Sequence, residues 1–183
     1  MQIKCLGCEE DILQPAFLEV NLPCQTCESC GGNWILLKDY LQWKNSIQEK
    51  QTELTNFNIT EITDTKKTLI CPVTGKLMSK YRISAKTDHR LDFSVYANAI
   101  WLDNGEWLLL KQQGLATELN RIVTDAWQKQ IRTINSKEVL EQEYRKKIGD
   151  EDYEKIKEIR DWLSTHPHAD FLKAFIMADK TSK

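Results

Sequence analysis

The sequence contains no long hydrophobic run. No stretch of about 18 apolar residues, the length that a membrane-spanning helix needs, occurs anywhere in the chain. The N-terminus also has no apolar run of signal-peptide length. These absences predict a cytoplasmic protein in a reducing compartment, with no membrane partner.

Catalytic signatures and a basic excess are also missing. The chain has no phosphate-binding loop, no nucleophile elbow and no His-Glu-x-x-His motif. Its three histidines, His89, His166 and His168, are expected to be exposed or to cap helices rather than to bind metal. The formal net charge is −2, whereas a dedicated nucleic-acid binder is usually basic. These features predict a protein that is not an enzyme.

What the chain does contain is a globular composition and a cluster of thiols. Hydrophobic residues make up 41% of the 183 positions and charged residues 28%, which is enough to bury a core. Five of the six cysteines fall within residues 5–30, and the sixth is Cys71. In a reducing compartment, clustered Cys-x-x-Cys pairs bind metal more often than they form disulfides.

Two Cys-x-x-Cys pairs have the spacing of zinc knuckles. Each presents two thiolates from one tight turn, so two of them supply the four ligands of a tetrahedral zinc ion. We therefore predict one structural zinc ion, with no substrate-binding position, held by Cys5, Cys8, Cys27 and Cys30.

Other uses of these thiols are less well supported. A redox Cys-x-x-Cys needs a lowered thiol pKa, but the acidic run Glu9-Glu10-Asp11 follows Cys8. An iron–sulfur run beginning at Cys24 has no fourth close cysteine. Cys24 is also an alternative ligand to Cys27 or Cys30, or else a small buried residue at a strand end. We favour Cys27 and Cys30 because Gly31 and Gly32 follow them.

The chain repeats one unit. Residues 3–44, here copy one, align with residues 69–111, here copy two, with one inserted residue. The ligand positions of copy one correspond to Cys71, Thr74, Ser94 and Ala97, and Trp34 corresponds to Trp101. Thr, Ser and Ala are poor zinc ligands, so copy two is predicted to be metal-free. Its fold should then depend on a core of Phe93, Val95, Trp101, Leu102 and Trp107.

These residues resemble a known family. The segment Cys27-Glu-Ser-Cys30-Gly-Gly-Asn-Trp34 is similar to the Cys-Pro-x-Cys-Gly-Gly-x-Trp signature of the bacterial zinc ribbons named after general transcription factor IIB. The segment Ile100-Trp-Leu-Asp-Asn-Gly-Glu106 resembles the continuation of that signature, Val-Trp-Leu-Asp-x-Gly-Glu. The resemblance covers residues 3–112, departs at Thr74, Ser94 and Ala97, and implies a zinc-ribbon fold without implying a transcription role.

The pattern of residues predicts an α+β protein. Strands are expected at residues 16–22, 78–84 and 90–95, with a short one at 57–62. One helix is expected at residues 38–51 and another at 104–113, capped by Asp103 and stopped by Gly114. After Gly114 the apolar spacing becomes helical, with further helices at residues 137–148 and 151–164, capped by Asn135 or Ser136 and by Asp150, and one from Pro167 onward.

This pattern divides the chain into four parts. They are a zinc ribbon with its trailing helix (1–52), a linker (53–66), a degenerate ribbon with its trailing helix (67–114) and a small helical bundle (115–183). With a closed metal site and balanced charge, the predicted function is a non-catalytic protein-binding adaptor. Its helices, or an exposed aromatic such as Trp43, would contact the partner.

A basic segment in copy two supports an alternative function. Alternate residues of a β-ribbon share a face, so Lys76, Lys80, Arg82 and Lys86 are expected to form one stripe. Such a stripe suits phosphate contacts and predicts a nucleic-acid or ribonucleoprotein-binding factor. Lysines that protect an exposed sheet edge would give the same pattern.

Overall fold

A computed structural model describes residues 2–47 and 62–178. In these residues the α+β class is confirmed, with one antiparallel sheet of six strands and six helices. The strands are β1 (Gln14–Glu19), β2 (Leu22–Thr26), β3 (Asn33–Leu36), β4 (Ser79–Arg82), β5 (Arg90–Ser94) and β6 (Ala99–Leu102). The helices are α1 (Leu37–Ser46), α2 (Glu106–Gln112), α3 (Leu119–Ile122), α4 (Asp125–Ile148), α5 (Asp150–Thr165) and α6 (Ala169–Met177).

The two copies contribute three strands each to this sheet. The strand order is β1-β2-β3-β6-β5-β4, so the copies meet through their third strands, which pair antiparallel. Trp34 lies directly opposite Trp101, its own counterpart in the repeat. A residue that faces its own equivalent marks the axis of a two-fold contact. The two copies therefore pair as the halves of a pseudo-symmetric dimer within one chain.

The helix-covered face of the sheet holds the larger core. Side chains alternate across a strand, so Ile35, Ile100 and Leu102 point to this face while Trp34 and Trp101 point to the other. Helices α1 to α3 add the buried residues that close the core: Tyr40, Trp43, Trp107, Leu110, Leu119 and Ile122. Tyr40 donates its hydroxyl hydrogen to the Ala116 carbonyl and accepts a hydrogen bond from the Leu119 amide, which fixes the chain after α2.

Two helix starts differ from the prediction. Helix α2 begins at Glu106 after Gly105, which has a left-handed φ of 83°, and no side chain caps it. Asp103 was predicted as the cap but accepts hydrogen bonds from the Trp101 indole and the Thr65 amide instead. Asp150, also predicted as a cap, is the first residue of α5 and pairs with Arg145.

Helix α4 is longer than the pattern predicted. It runs through residues 135–136 without a break, although a separate helix was predicted from residue 137. Asn135 and Ser136 are favourable cap residues, but inside a helix they lower its stability only slightly. One continuous helix therefore forms. The predicted stop at Gly149 is confirmed, because α4 ends at Ile148 and Gly149 has a φ of 83°.

Other predicted elements are corrected in part. Copy one has three strands, where one was predicted, and α6 begins at Ala169 rather than at Pro167. Val95 was predicted to be core but is 55% exposed, since it follows β5 in a turn. The predicted strand at 57–62 and the end of the predicted helix at 38–51 lie outside the described residues. Among the described residues, no helix is both long and apolar enough to cross a membrane.

The chain divides into two compact units, Met1–Thr133 and Ile134–Lys183. The first contains the whole sheet, so both ribbons predicted as separate domains share one body. In the second, Arg145 pairs with Glu141, Asp150 and Glu154, and its guanidinium stacks on the ring of buried Tyr153. This network joins the end of α4 to the start of α5.

Candidate metal centre

The structure brings together the four thiols that the sequence selected. One sulfur from each of Cys5, Cys8, Cys27 and Cys30 lies within 4.8 Å of all the others. The Cys5 and Cys30 sulfurs are 3.4 Å apart, and those of Cys8 and Cys27 are 3.6 Å apart. A tetrahedron with Zn–S bonds of about 2.3 Å has edges of about 3.8 Å. The four sulfurs therefore have the spacing of a four-thiolate metal site.

Backbone hydrogen bonds shape the second knuckle. The Cys27 amide donates to the Gly32 carbonyl, and the Gly31 amide donates to the Cys27 carbonyl. Gly31 has a φ of 72°, a left-handed conformation that favours glycine, and a Cβ there would also lie 2.8 Å from the Asn104 side chain. The turn itself thus favours glycine at position 31.

Burial and hydrogen bonding act differently on the four thiols. Burial raises the pKa of Cys5 and of Cys27. The backbone amides of Glu10 and Asp11 lower the pKa of Cys8 to about 7. The Gly7 amide also donates to the Cys5 sulfur. A bound dication offsets the cost of burying several thiolates in one place.

Cys24 lies outside this group. It is buried in the helix-side core, on the opposite face of the sheet from the four thiols, and contacts Thr26 and Asn33. Its burial raises its thiol pKa. Cys24 therefore has the role of a small core residue, which was one of the two interpretations open at the sequence level.

Copy two covers the metal centre of copy one with an indole. The ring of Trp101 lies so close to the knuckles that a Cβ on Gly32 would be 2.2 Å from its Cζ2, and a Cβ on Gly7 would be 3.5 Å from the same atom. The indole N–H donates to Asp103 at 2.7 Å, which fixes the ring. The repeat thus shields the four-cysteine site from solvent on this side.

The equivalent place in copy two keeps the turn but not the thiols. The Cys71 amide donates to the Lys76 carbonyl and the Gly75 amide to the Cys71 carbonyl. Cys71 aligns with Cys5, but this pattern is the one seen at Cys27 in the other knuckle of copy one. Gly75 has a φ of 67°, close to that of Gly31. Burial raises the pKa of Cys71, but hydrogen bonds with Ser94 and Thr74 outweigh burial and lower it. In copy two, hydrogen bonds among Cys71, Thr74 and Ser94 therefore occupy the positions that hold the cysteines in copy one.

The two tryptophans of the repeat differ in one hydrogen bond. Trp34 is buried, and among the described residues its indole N–H has no partner. The repeat places Leu36 where copy two has Asp103, the acceptor for Trp101. An unpaired buried donor costs about 1–3 kcal/mol. Copy one therefore lacks a polar contact that copy two retains.

The predicted basic stripe is divided between paired and exposed residues. Lys80 is largely buried and pairs with Asp92 at 2.8 Å, and Arg82 pairs with Asp88 at 2.6 Å. Lys76 and Lys86 are exposed. Nucleic-acid contact through these residues stays a prediction, with half of the charge already engaged within the chain.

Trp43, predicted as an exposed docking aromatic, is buried. Its ring packs against Tyr40 and meets Trp107 edge to face at 5.5 Å. Helix α1 turns this side chain toward the sheet, so the sequence-level prediction about Trp43 was wrong.

Sequence reasoning also missed a second cluster of ligand-type residues. Asp64, His89 and Glu106 each place one ligand atom within 4.8 Å of the others. Burial, together with the nearby carboxylates of Asp103, Asp64 and Asp92, raises the pKa of Glu106 well above its usual range. The residues come from three separate segments, so no spacing motif could reveal them. The only sequence signal was Glu106 itself, in the segment that resembles the ribbon signature.

Comparison with known proteins identifies no relative for this arrangement. No protein-family model matches the chain, no curated protein matches it, and no solved structure matches it.

Proposed function

We propose that the protein is a non-catalytic interaction protein built on one structural zinc ion. The observation that carries the metal assignment is the convergence of four cysteine sulfurs within 4.8 Å. Four thiolates fill the coordination shell of zinc and leave no position for a reacting water. The resemblance of both copies to the zinc ribbons named after general transcription factor IIB supports the same metal.

Metal analysis of the purified protein tests this site. We expect Cys27→Ser to lose one zinc ion per chain relative to the wild type. The matched control is Cys24→Ser, which changes another buried thiol outside the group and should keep the wild-type zinc content. Equal zinc contents in wild type and Cys27→Ser would exclude zinc from the four-cysteine site, and iron in the wild type would exclude zinc as its metal.

The protein-binding role is supported by the second unit, Ile134–Lys183. Among its described residues only Tyr153 is a buried hydrophobic residue, whereas many large apolar side chains face solvent. Phe171 and Phe175 are 75% and 72% exposed, and Trp162 is 54% exposed. Contiguous exposed apolar surface typically marks a protein interface. The exposed residues are Ile134, Val139, Leu140, Tyr144, Ile148, Ile156, Ile159, Trp162, Phe171, Phe175, Ile176 and Met177.

Affinity capture with the full chain tests this role. The double variant Phe171→Ser/Phe175→Ser should lose a protein that the wild type retains. Phe17→Ser is the matched control, because Phe17 on β1 is 73% exposed but lies in the other unit. Identical captured proteins for wild type and the double variant would contradict the proposal. If size-exclusion chromatography with light scattering shows a dimer that only the double variant loses, the partner is a second copy.

A further inference from the structure

We propose that Asp64, His89 and Glu106 form a second metal site, which binds a divalent first-row metal ion through two carboxylates and one imidazole. These residues lie outside the four-cysteine centre and share none of its ligands. Glu106 is the first residue of α2, His89 immediately precedes β5, and Asp64 lies in the segment that leads into copy two.

The first observation is geometric. One ligand atom from each residue lies within 4.8 Å of the other two. Ligands at about 2.0–2.2 Å from one ion lie about 3–4.4 Å apart, so a small side-chain adjustment brings all three onto a single ion. Imidazole and carboxylate together suit Zn²⁺ and Mn²⁺.

The second observation is a pair of buried polar atoms with no partner. Glu106 is only 1% exposed. Its Oε2 atom accepts a hydrogen bond of 2.9 Å from the Asp103 amide. Its Oε1 atom has no hydrogen-bond partner among the described residues. The Nδ1 atom of His89 is likewise buried and without a partner there. Buried polar atoms without partners are costly and need an explanation. A cation between Glu106 and His89 would satisfy both.

The third observation is the balance of charge. The carboxylates of Asp64, Asp92 and Asp103 all act on Glu106, and Asp92 is 1% exposed with one oxygen unpartnered. Lys80 pairs with the other oxygen of Asp92, and Lys66 and Arg90 line the same pocket as Asp64 and Lys80. Asp64, Asp92, Asp103 and Glu106 place four carboxyl groups close together, and a divalent ion would offset the repulsion among them.

One of the three ligands reaches solvent. Asp64 lines an open polar pocket together with Lys66, Lys80 and Arg90, whereas His89 and Glu106 do not line it. With three protein ligands, water completes the coordination of the ion. A bound ion would join the segment before copy two to the start of β5 and the start of α2.

Titration with Mn²⁺ tests the site, since Mn²⁺ prefers oxygen and imidazole ligands to thiolates. The full chain is first loaded with one equivalent of zinc, so that the four-cysteine site is filled and the second site stays open. Free Mn²⁺ is then followed by electron paramagnetic resonance. We expect one Mn²⁺ per chain, with affinity weakened at least about tenfold in Glu106→Gln, His89→Phe and Asp64→Asn. Glutamine at 106 keeps an acceptor for the Asp103 amide, and Asp64 is only half-buried, so two of the variants should fold.

Glu138→Gln is the control, because Glu138 is an exposed carboxylate on α4 that belongs to the second unit, Ile134–Lys183. It should bind Mn²⁺ like the wild type. If Mn²⁺ binds equally to all the variants, only adventitious surface binding remains and the proposal fails. If the wild type binds no Mn²⁺ and contains one zinc ion per chain, the proposal also fails.

Discussion

Copy one and copy two have the same three-strand arrangement, but different polar side chains occupy their equivalent positions. Copy one has four converging cysteines, with Leu36 and Asp39 where copy two has Asp103 and Glu106. Copy two has lost three of the four thiols but keeps Asp103 as acceptor for Trp101. The turn around Cys71 nevertheless keeps the backbone hydrogen bonds of a knuckle. Copy two therefore has a knuckle-like backbone turn without the four cysteines.

The shared sheet explains why copy two tolerates the loss. Its strand β6 is central and completely buried, and it pairs with β3 of copy one. The Trp101 indole in turn covers the knuckles of copy one. The two copies thus pack against each other within one sheet. We predict that only copy one depends on a metal ion for its stability.

The largest expected difference in stability between the copies comes from substituting one pair of equivalent residues, Cys27 and Ser94. Cys27→Ser should lower the free energy of unfolding by on the order of 5 kcal/mol, because structural zinc binding contributes directly to folding. Ser94→Ala removes only hydrogen bonds in the metal-free knuckle and should cost about 1 kcal/mol. Denaturant unfolding in buffer without free zinc measures both. Similar losses for both variants would mean that the two knuckles do not differ in metal dependence.

A second pair tests how the indole covers the metal site. Gly32→Ala places a methyl group where the Trp101 ring already lies, and should cost about 1–3 kcal/mol through overpacking. At the equivalent position in copy two, Ala99→Gly should cost about 0.5–1 kcal/mol through backbone entropy. Thermal unfolding compares the two variants. If Gly32→Ala is as stable as the wild type, Trp101 is not packed against this knuckle.

A third test removes the polar contact that only copy two retains. Asp103→Leu introduces the residue that copy one has at this position, and leaves the Trp101 indole N–H without its acceptor. We expect a loss of about 1–3 kcal/mol and faster hydrogen exchange of that indole. Asp103→Asn keeps an acceptor oxygen and should lose less. Equal effects of the two substitutions would show that the hydrogen bond does not hold the ring.

The smallest expected effect is on the pH dependence of stability, through the buried Lys80–Asp92 ion pair of copy two. Burial raises the pKa of Asp92 to about 6, against a hydrogen bond and charge from Lys80 that lower it. Because the folded-state pKa lies above the usual carboxyl value, Asp92 weakens stability as pH rises from about 4 to 6, and the cost is constant above that. In Lys80→Met the pKa should rise further, extending this loss to higher pH.

Carboxyl NMR titration of the zinc-loaded protein without excess divalent metal measures that pKa directly. Asp92 should titrate near pH 6 in the wild type and higher in Lys80→Met. An unchanged midpoint in Lys80→Met would show that the pair is not formed in solution.

The sequence predicted the parts of this structure that depend on local spacing. The two Cys-x-x-Cys pairs, Gly114 and Gly149 are short-range signals. The four cysteines do cluster, and helices end just before the two glycines. Cys24 and Trp43 were harder to place, because burial depends on which face of the sheet or helix a residue occupies. The Asp64, His89 and Glu106 cluster was not predictable, since three distant segments meet only in the folded chain. The break predicted before residue 137 was wrong, because a helix can also accommodate cap residues such as Asn135 and Ser136 in its interior.

X-ray absorption spectroscopy at the zinc edge tests the central claim, that copy one alone holds a four-thiolate zinc ion. The measurement uses Glu106→Gln with one zinc ion per chain, so that only the four-cysteine site contributes. We predict four sulfur neighbours at about 2.3 Å and no nitrogen or oxygen in the first shell. Two or three sulfur neighbours with nitrogen or oxygen beside them would contradict the claim.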